Sequence, residues 1–232
     1  MTDTIKLSED TISLFTSISK VNQSVRIPEG DDKIMVVAVG GKTLVTVAIP
    51  EDFPRDVYLY DMNEFLGALS LVKEPNIDFS EDSTLLITEN GGNPKIRFIE
   101  AEERLVDSEP PNRSTVEEDD IIYEVKVEQD VLDRVNKAAN VLKLPYIGFK
   151  CEEGIVSLIA FDNNNGSEEE TGLFSIKVGE HDDDFLLFMK QDMFHVHAGD
   201  YEVKLSSKLR MHMKNTTAEI DYVKAFEKAS EV

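Results

Sequence analysis

Residues 5–21, IKLSEDTISLFTSISKV, decide the reading of this chain, because residues 125–141, VKVEQDVLDRVNKAANV, repeat their pattern. Each stretch opens with an apolar–charged–apolar triplet, a short strand signal. An acidic helix start follows, then apolar residues at helical spacing. In the first copy these are Ile12, Phe15, Ile18 and Val21; in the second they are Leu132, Val135, Ala138 and Val141. The opposite faces match as well, with Ser13, Thr16, Ser17 and Lys20 against Asp133, Asn136, Lys137 and Asn140. Further along, VYLYDMNEFLGAL (57–69) resembles FLLFMKQDMFHVH (185–197), and the polar loop DNNNGSEEE (162–170) absorbs the added length. A unit of about 110 residues is duplicated, within the usual size range of one domain.

Working outward, each unit reads as strand, helix, strands, short helix, strands. KIMVVAV (33–39) and KTLVTVAI (42–49) flank Gly40-Gly41, which predicts a two-residue hairpin turn with glycine supplying positive φ. Asp61 is placed to cap a helix carrying Met62, Phe65, Leu66, Leu69 and Val72 on one face. Asn63, Gly67, Ser70 and Glu74 lie on the other. IDFSEDSTLLIT (77–88) and KIRFIE (95–100) predict a further strand pair. In the second unit strands are expected in 147–161, LFSIKV (173–178), DFLLFM (184–189), YEVKLSS (201–207) and DYVKAF (221–226), with a fourth helix beginning at Lys190. Strands outnumber the amphipathic helices, so the fold class is α+β with antiparallel sheet.

Between the copies, residues 100–120 hold nine acidic residues and two arginines around Pro110-Pro111. Adjacent prolines forbid helix, so this is an extended connector. The expected domains are 1–101, a connector at 102–121, and 122–232.

Among 232 residues, 24 Lys and Arg stand against 46 Asp and Glu, a net charge of −22. Such a surface repels nucleic acid and anionic membrane on average, so any DNA contact must come from a locally basic patch. A hydrophobic fraction of 41% supports a real core. No apolar run approaches the ~18 residues of a membrane span. MTDTIKLSED lacks a basic segment followed by an apolar core, so no secretory leader is expected. The lone Cys151 forms no intrachain disulfide and fits a reducing compartment.

Motifs that resemble chemistry fall short of it. Gly40-Gly41-Lys42-Thr43 ends like a phosphate-binding loop, but Val36 stands where that loop needs glycine, and the motif lies between strands. His195, His197 and the more distant His212 lack the further ligands that zinc requires. Asp182-Asp183-Asp184 and Glu168-Glu169-Glu170 lack the alternation of a calcium loop. Cys151 has no neighbouring histidine, and no nucleophile elbow occurs. Neither a metal, a cofactor nor a catalytic residue is expected, and the chain is read as not an enzyme.

The helix faces are more informative. An outward face on so acidic a chain should be rich in Glu and Lys. Instead the helices offer Ser13, Thr16, Ser17 and Lys20; Asn63, Gly67 and Ser70; then Arg134, Asn136, Lys137, Asn140 and Lys143, and finally Lys190. Small polar and basic side chains suit a surface that meets phosphates without reading bases.

Lys6-Leu7-Ser8-x-Asp10-Thr11 and Tyr60-Asp61-Met62-Asn63-x-Phe65-Leu66-Gly67-x-Leu69-Ser70-Leu71-Val72 resemble the DNA polymerase sliding clamps of T-even-type bacteriophages. Gly199-Asp200-Tyr201 and Tyr222-Val223-x-Ala225 extend the likeness over nearly the whole length. The resemblance implies a DNA-clamp fold with two similar domains, and a homotrimer arranged head to tail with twelve helices lining a central hole. Lys20, Lys73, Arg134, Lys137, Lys143 and Lys190 would face encircled duplex DNA. It implies that 95–100 of one subunit lies edge-on to 173–178 of the next, with Ile96, Phe98, Phe174 and Ile176 at the interface. By position Val39, Leu44, Ile121 and Phe226 would form the pocket for apolar partner peptides.

The implied role is a processivity factor for phage DNA polymerase, loaded by a separate ATP-driven clamp loader. A second role as mobile activator of late transcription, through co-activators, is implied too. The setting would be the cytoplasm of an infected bacterium, with no membrane partner. The sequence departs from the family in its single basic residue on the first helix, its unmatched connector and its lack of Trp. Two competing readings are an acidic DNA-mimic protein and a metal-dependent hydrolase using His195 and His197.

Overall fold

The structure is a computed structural model that describes residues 4–30, 33–90, 92–106, 116–162, 171–228 and 230. The chain divides into two compact units, Met1–Asn112 and Arg113–Val232, with the division inside the acidic connector.

Unit one contains β1 (Thr4–Lys6), α1 (Glu9–Ser19), β2 (Val25–Ile27), β3 (Ile34–Val37), β4 (Thr43–Val47), β5 (Val57–Leu59), α2 (Met62–Leu69), β6 (Asn76–Glu81), β7 (Thr84–Thr88) and β8 (Lys95–Ile99). One antiparallel sheet runs β1-β6-β7-β8, while β2 pairs with β5 and β3 with β4. Ser8 caps α1, its side chain accepting from the Thr11 N–H. Glu51 clamps the same turn from outside, accepting from the Ser8 N–H at 2.7 Å and the buried Thr11 hydroxyl at 2.5 Å. A carboxylate there satisfies free donors and complements the helix dipole. Asp61 caps α2 as its sequence predicts, accepting from the Asn63 N–H at 2.8 Å. The helices meet through Phe15 and Phe65, 6.4 Å apart, and Phe65 packs edge-on to Phe98 of β8 at 5.2 Å.

The β3–β4 turn differs from expectation. Both glycines have positive φ (90° and 71°), but the loop spans Val39–Lys42 and is closed by the Ala38 N–H donating to the Thr43 carbonyl. It is a four-residue turn. Two positive-φ residues alone do not fix loop length when the flanking register is set elsewhere.

Unit two contains β9 (Ile121–Val127), α3 (Gln129–Leu142), β10 (Tyr146–Glu152), β11 (Ile155–Asp162), β12 (Thr171–Glu180), β13 (Phe185–Lys190), β14 (Tyr201–Ser206), β15 (Arg210–Asn215) and β16 (Ile220–Ala225). One sheet runs β12-β11-β10-β13, and β9, β14, β15 and β16 pair antiparallel in that order. α3 packs across β10, β11 and β12 through Leu132, Val135 and Ala139. Ala139, not Ala138, completes the buried stripe, and Val141 is exposed because it lies on the helix face opposite Leu132.

The expected fourth helix is a single 3-10 turn, Gln191–Met193. The described residues therefore hold three α-helices where the sequence reading expected four. Tertiary bonds claim the backbone that a helix would have used. The Tyr201 hydroxyl donates to the His197 carbonyl, and the His197 N–H donates to Tyr222, both at 2.8 Å. Asn215 donates to the Ala198 carbonyl at 3.1 Å. The buried Lys224 amine donates to the carbonyls of Met193 (2.6 Å) and His195 (3.0 Å). Phe194 sits in the core.

Candidate functional site

In unit one the outward side of α1 consists of exposed Ser13, Thr16 and Lys20 with half-buried Ser17. Thr16 and Ser17 turn their hydroxyls back onto the Ile12 and Ser13 carbonyls, and Ser70 does so onto Gly67 of α2. Internally satisfied hydroxyls leave a smooth, uncharged face with little to grip a phosphate. Lys20 stands at the far end of α1. Lys73 stands at the near end, in a groove of about 740 Å³ that it lines with Lys6, Ser8, Ile12, Leu66 and Leu69. Lys6 opens one of the motifs of the resemblance but was not among the residues expected to face DNA. It pairs at 2.6 Å with Glu74, whose carboxyl that ammonium holds below the usual range.

In unit two Arg134, Lys137 and Asn140 lie exposed on α3. Arg134 reaches Asp130 at 3.7 Å, and the pair is well exposed, so the guanidinium is only lightly engaged. Lys143 is exposed at the helix end. Lys190 ends β13 rather than starting a helix. Gln191 beside it donates to Asn140 at 3.3 Å, which brings the Lys190 end of β13 against α3.

The four nominated pocket residues differ in exposure. Val39 is 92% exposed at the β3–β4 turn, Ile121 is half-buried, and Leu44 and Phe226 are core residues. At Leu44 and Phe226 the apolar character reports packing, the commoner reason for an apolar residue.

The nominated interface residues lie on two strand edges. β8 ends one sheet and β12 ends another. Ile96, Phe98, Phe174 and Ile176 are all half-buried. Ile99 and Leu173, on the opposite faces of these strands, are exposed at 78% and 47%. Sequence reasoning passed over both, although each breaks an otherwise polar alternation.

Among the described residues no three His, Cys, Asp or Glu side chains gather as a metal site. His212 lies 3.9 Å from Asp221, and burial holds its imidazole below the usual pKa. Asp182, Asp183 and Asp184 are exposed before β13, and Glu168-Glu169-Glu170 lie outside the described residues. Cys151 is buried, donates to the His181 carbonyl at 3.4 Å, and has its pKa raised by that burial. It is no activated nucleophile.

Residues 122–228 match the family model described as gp45 sliding clamp, C terminal. The chain is 29% identical over 204 residues to the sliding clamp of Vibrio phage KVP40, covering 87% of this chain and 90% of that one. It is 26% identical over 208 residues to the sliding clamp of Enterobacteria phage T4, covering 88% of each. Among solved structures, the PCNA2–PCNA3 complex from Sulfolobus tokodaii superimposes with a TM-score of 0.70 at 14% identity, over 97% of this chain and 99% of that one. The A. fulgidus PCNA bound to a C-terminal region of FEN-1 gives 0.70 at 10% identity, over 98% and 99%. At such identities the structures speak for the fold alone, and that fold is the DNA clamp. With the phage relatives matching along most of the length, the chain is similar to the sliding clamps of T4-type bacteriophages.

Proposed function

We propose that the chain assembles head to tail as a homotrimeric ring that encircles duplex DNA and tethers the phage replicative polymerase as its processivity factor. One observation carries this: on a chain of charge −22, the exposed helix faces present Ser13, Thr16, Lys20, Asn63, Gly67, Ser70, Arg134, Lys137 and Asn140, while their exposed acids, Glu9, Asp10, Glu64, Asp130 and Asp133, lie in the N-terminal halves of the helices. An acidic exterior repels duplex, whereas a weakly basic lining tolerates it. Holding by enclosure needs little affinity per contact, so the protein slides. Tethering raises the effective concentration of polymerase at the primer end.

The chain does this without chemistry of its own, so loading falls to a separate ATP-driven loader. The loader, the late-transcription role with its co-activators, and the setting in an infected bacterium rest on the likeness to the phage relatives.

The test is retention on nicked circular DNA against the same DNA made linear, after loading. A sliding ring stays on the circle and runs off the free ends; equal retention on both would remove the topological reading. The double variant Arg134→Glu/Lys137→Glu should sediment like the parent yet lose at least tenfold in retention on circles. A DNA mimic would be indifferent to that change.

A further inference from the structure

Residues 191–199 stand in the repeat where unit one forms α2, and they are held in a different way. The bonds of α2 run within its own backbone, as from the Ser70 N–H to the Leu66 carbonyl. In unit two the sheet supplies them. The Lys224 amine of β16 donates to the Met193 and His195 carbonyls, and the Tyr222 hydroxyl accepts from the His197 N–H. Tyr201 of β14 donates to the His197 carbonyl, and Asn215 of β15 to that of Ala198. Phe194 anchors the segment in the core, and beyond the turn at Gln191–Met193 it is neither helix nor strand.

Lys224 is the proton-binding member of this set. A neutral amine carries two N–H groups, and two carbonyls receive them; an ammonium brings a third donor and a full charge. The face that Lys224 shares offers that charge no carboxylate. β16 carries Ile220 and Tyr222 there, β15 carries Met211, Met213 and Asn215, and β14 carries Tyr201, Val203 and Leu205, all buried. Its titratable groups besides Lys224 are the two tyrosines. Burial pushes Tyr201 up to about 12 and raises Tyr222 as well, so both keep their protons. Asp221 and His212 belong to the opposite face of the sheet. On the segment itself Asp192 and His195 are exposed and His197 is half-buried, with exposed Asp200 just beyond.

We propose that residues 191–199 are a proton-operated strap: when the Lys224 amine takes up a proton from solvent, the strap lifts away while β14, β15 and β16 stay paired. Lifting admits water to the ammonium and breaks the bonds of the strap, not the ladders of the sheet. Closed, burial holds the amine at about 7; lifted, it regains its ordinary 10.5. The lifted state therefore binds the extra proton throughout that window. Lifting becomes easier as pH falls toward 7 and levels off below it. The device lies within unit two and is independent of the ring.

The test is amide hydrogen exchange on the full chain at pH 7 and pH 8.5, each rate divided by the intrinsic rate at that pH. The His197 and Phe194 amides report the strap, and those of β15 report the sheet. Strap protection should fall about tenfold from pH 8.5 to 7, with the β15 amides the better protected at both. Lys224→Met should abolish this pH dependence, and His195→Gln/His197→Gln should keep it. In the parent alone, strap protection that ignores pH, or strap and β15 amides that exchange as one unit, overturns the proposal. A dependence that survives Lys224→Met, or vanishes with the two histidines, overturns it as well.

Discussion

Single residues carry two of the less expected features. Lys224 is fully buried with no ion-pair partner among the described residues, donates to two carbonyls, and lies 5.0 Å from the ring of Tyr222. Burial pushes its ammonium from 10.5 down to about 7. The unfolded chain keeps that proton up to its ordinary value, so folding releases a proton between about 7 and 10.5. Stability therefore rises with pH in that window, and below 7 the charged amine costs the folded state its full amount. Urea midpoints should correspond to a gain of up to about 2 kcal/mol from pH 7 to 8.5, and Lys224→Met should lose that slope. The window stops short of 9, where the buried Cys151 thiol begins to act in the opposite sense. Glu51 is the second case: Glu51→Ala should cost about 1–2 kcal/mol in denaturant unfolding, because the start of α1 loses both its outside acceptors. Neither role is legible in the sequence, since a lysine amid apolar residues and an acid in a loop look like ordinary surface groups.

Elements were more legible where local signals and packing agreed. Asp61, Phe65 and Leu69 spell a capped amphipathic helix, and α2 forms there. The repeat at 185–197 carries its strand across but not its helix. Met193, Phe194 and Val196 have the apolar content, yet the bonds from Tyr201, Tyr222, Asn215 and Lys224 come from residues up to 31 positions away. The Tyr201 bond spans four residues, but those of Asn215, Tyr222 and Lys224 span 17 to 31 and fall outside any local window. The tight β10–β11 turn, with Glu153 at φ 51° and Gly154 at φ 80°, was hidden for a related reason: glutamate seldom marks a left-handed position. Close sheet packing sets another limit. A Cβ at Gly148 of β10 would lie 2.3 Å from the Leu187 carbonyl oxygen, so Gly148→Ala should cost about 3 kcal/mol, read as a lowered thermal midpoint.

At the scale of the molecule, the duplicated unit and the Tyr60–Val72 motif carried the resemblance to the clamps, which acidity and helix-face composition alone did not settle, and the apolar character of Leu44 and Phe226 speaks for the core. Ile99 makes a sharper test of assembly than any core residue. It is exposed, so Ile99→Arg should leave monomer unfolding within about 0.5 kcal/mol of the parent. In sedimentation it should raise the trimer dissociation midpoint at least tenfold, about 1.4 kcal/mol. The two edges also differ from one another: β8 offers Lys95, Arg97 and Ile99, and β12 offers Leu173, Ser175 and Lys177. In the proposed ring every added copy would thus use one edge and present another, like a monomer with two unlike reactive ends. Growth stops only when the turn made at each joint brings the last end back to the first. A substitution that altered that turn while sparing the joint would yield an open helical fibre, as sticky at its tips as the ring is inert.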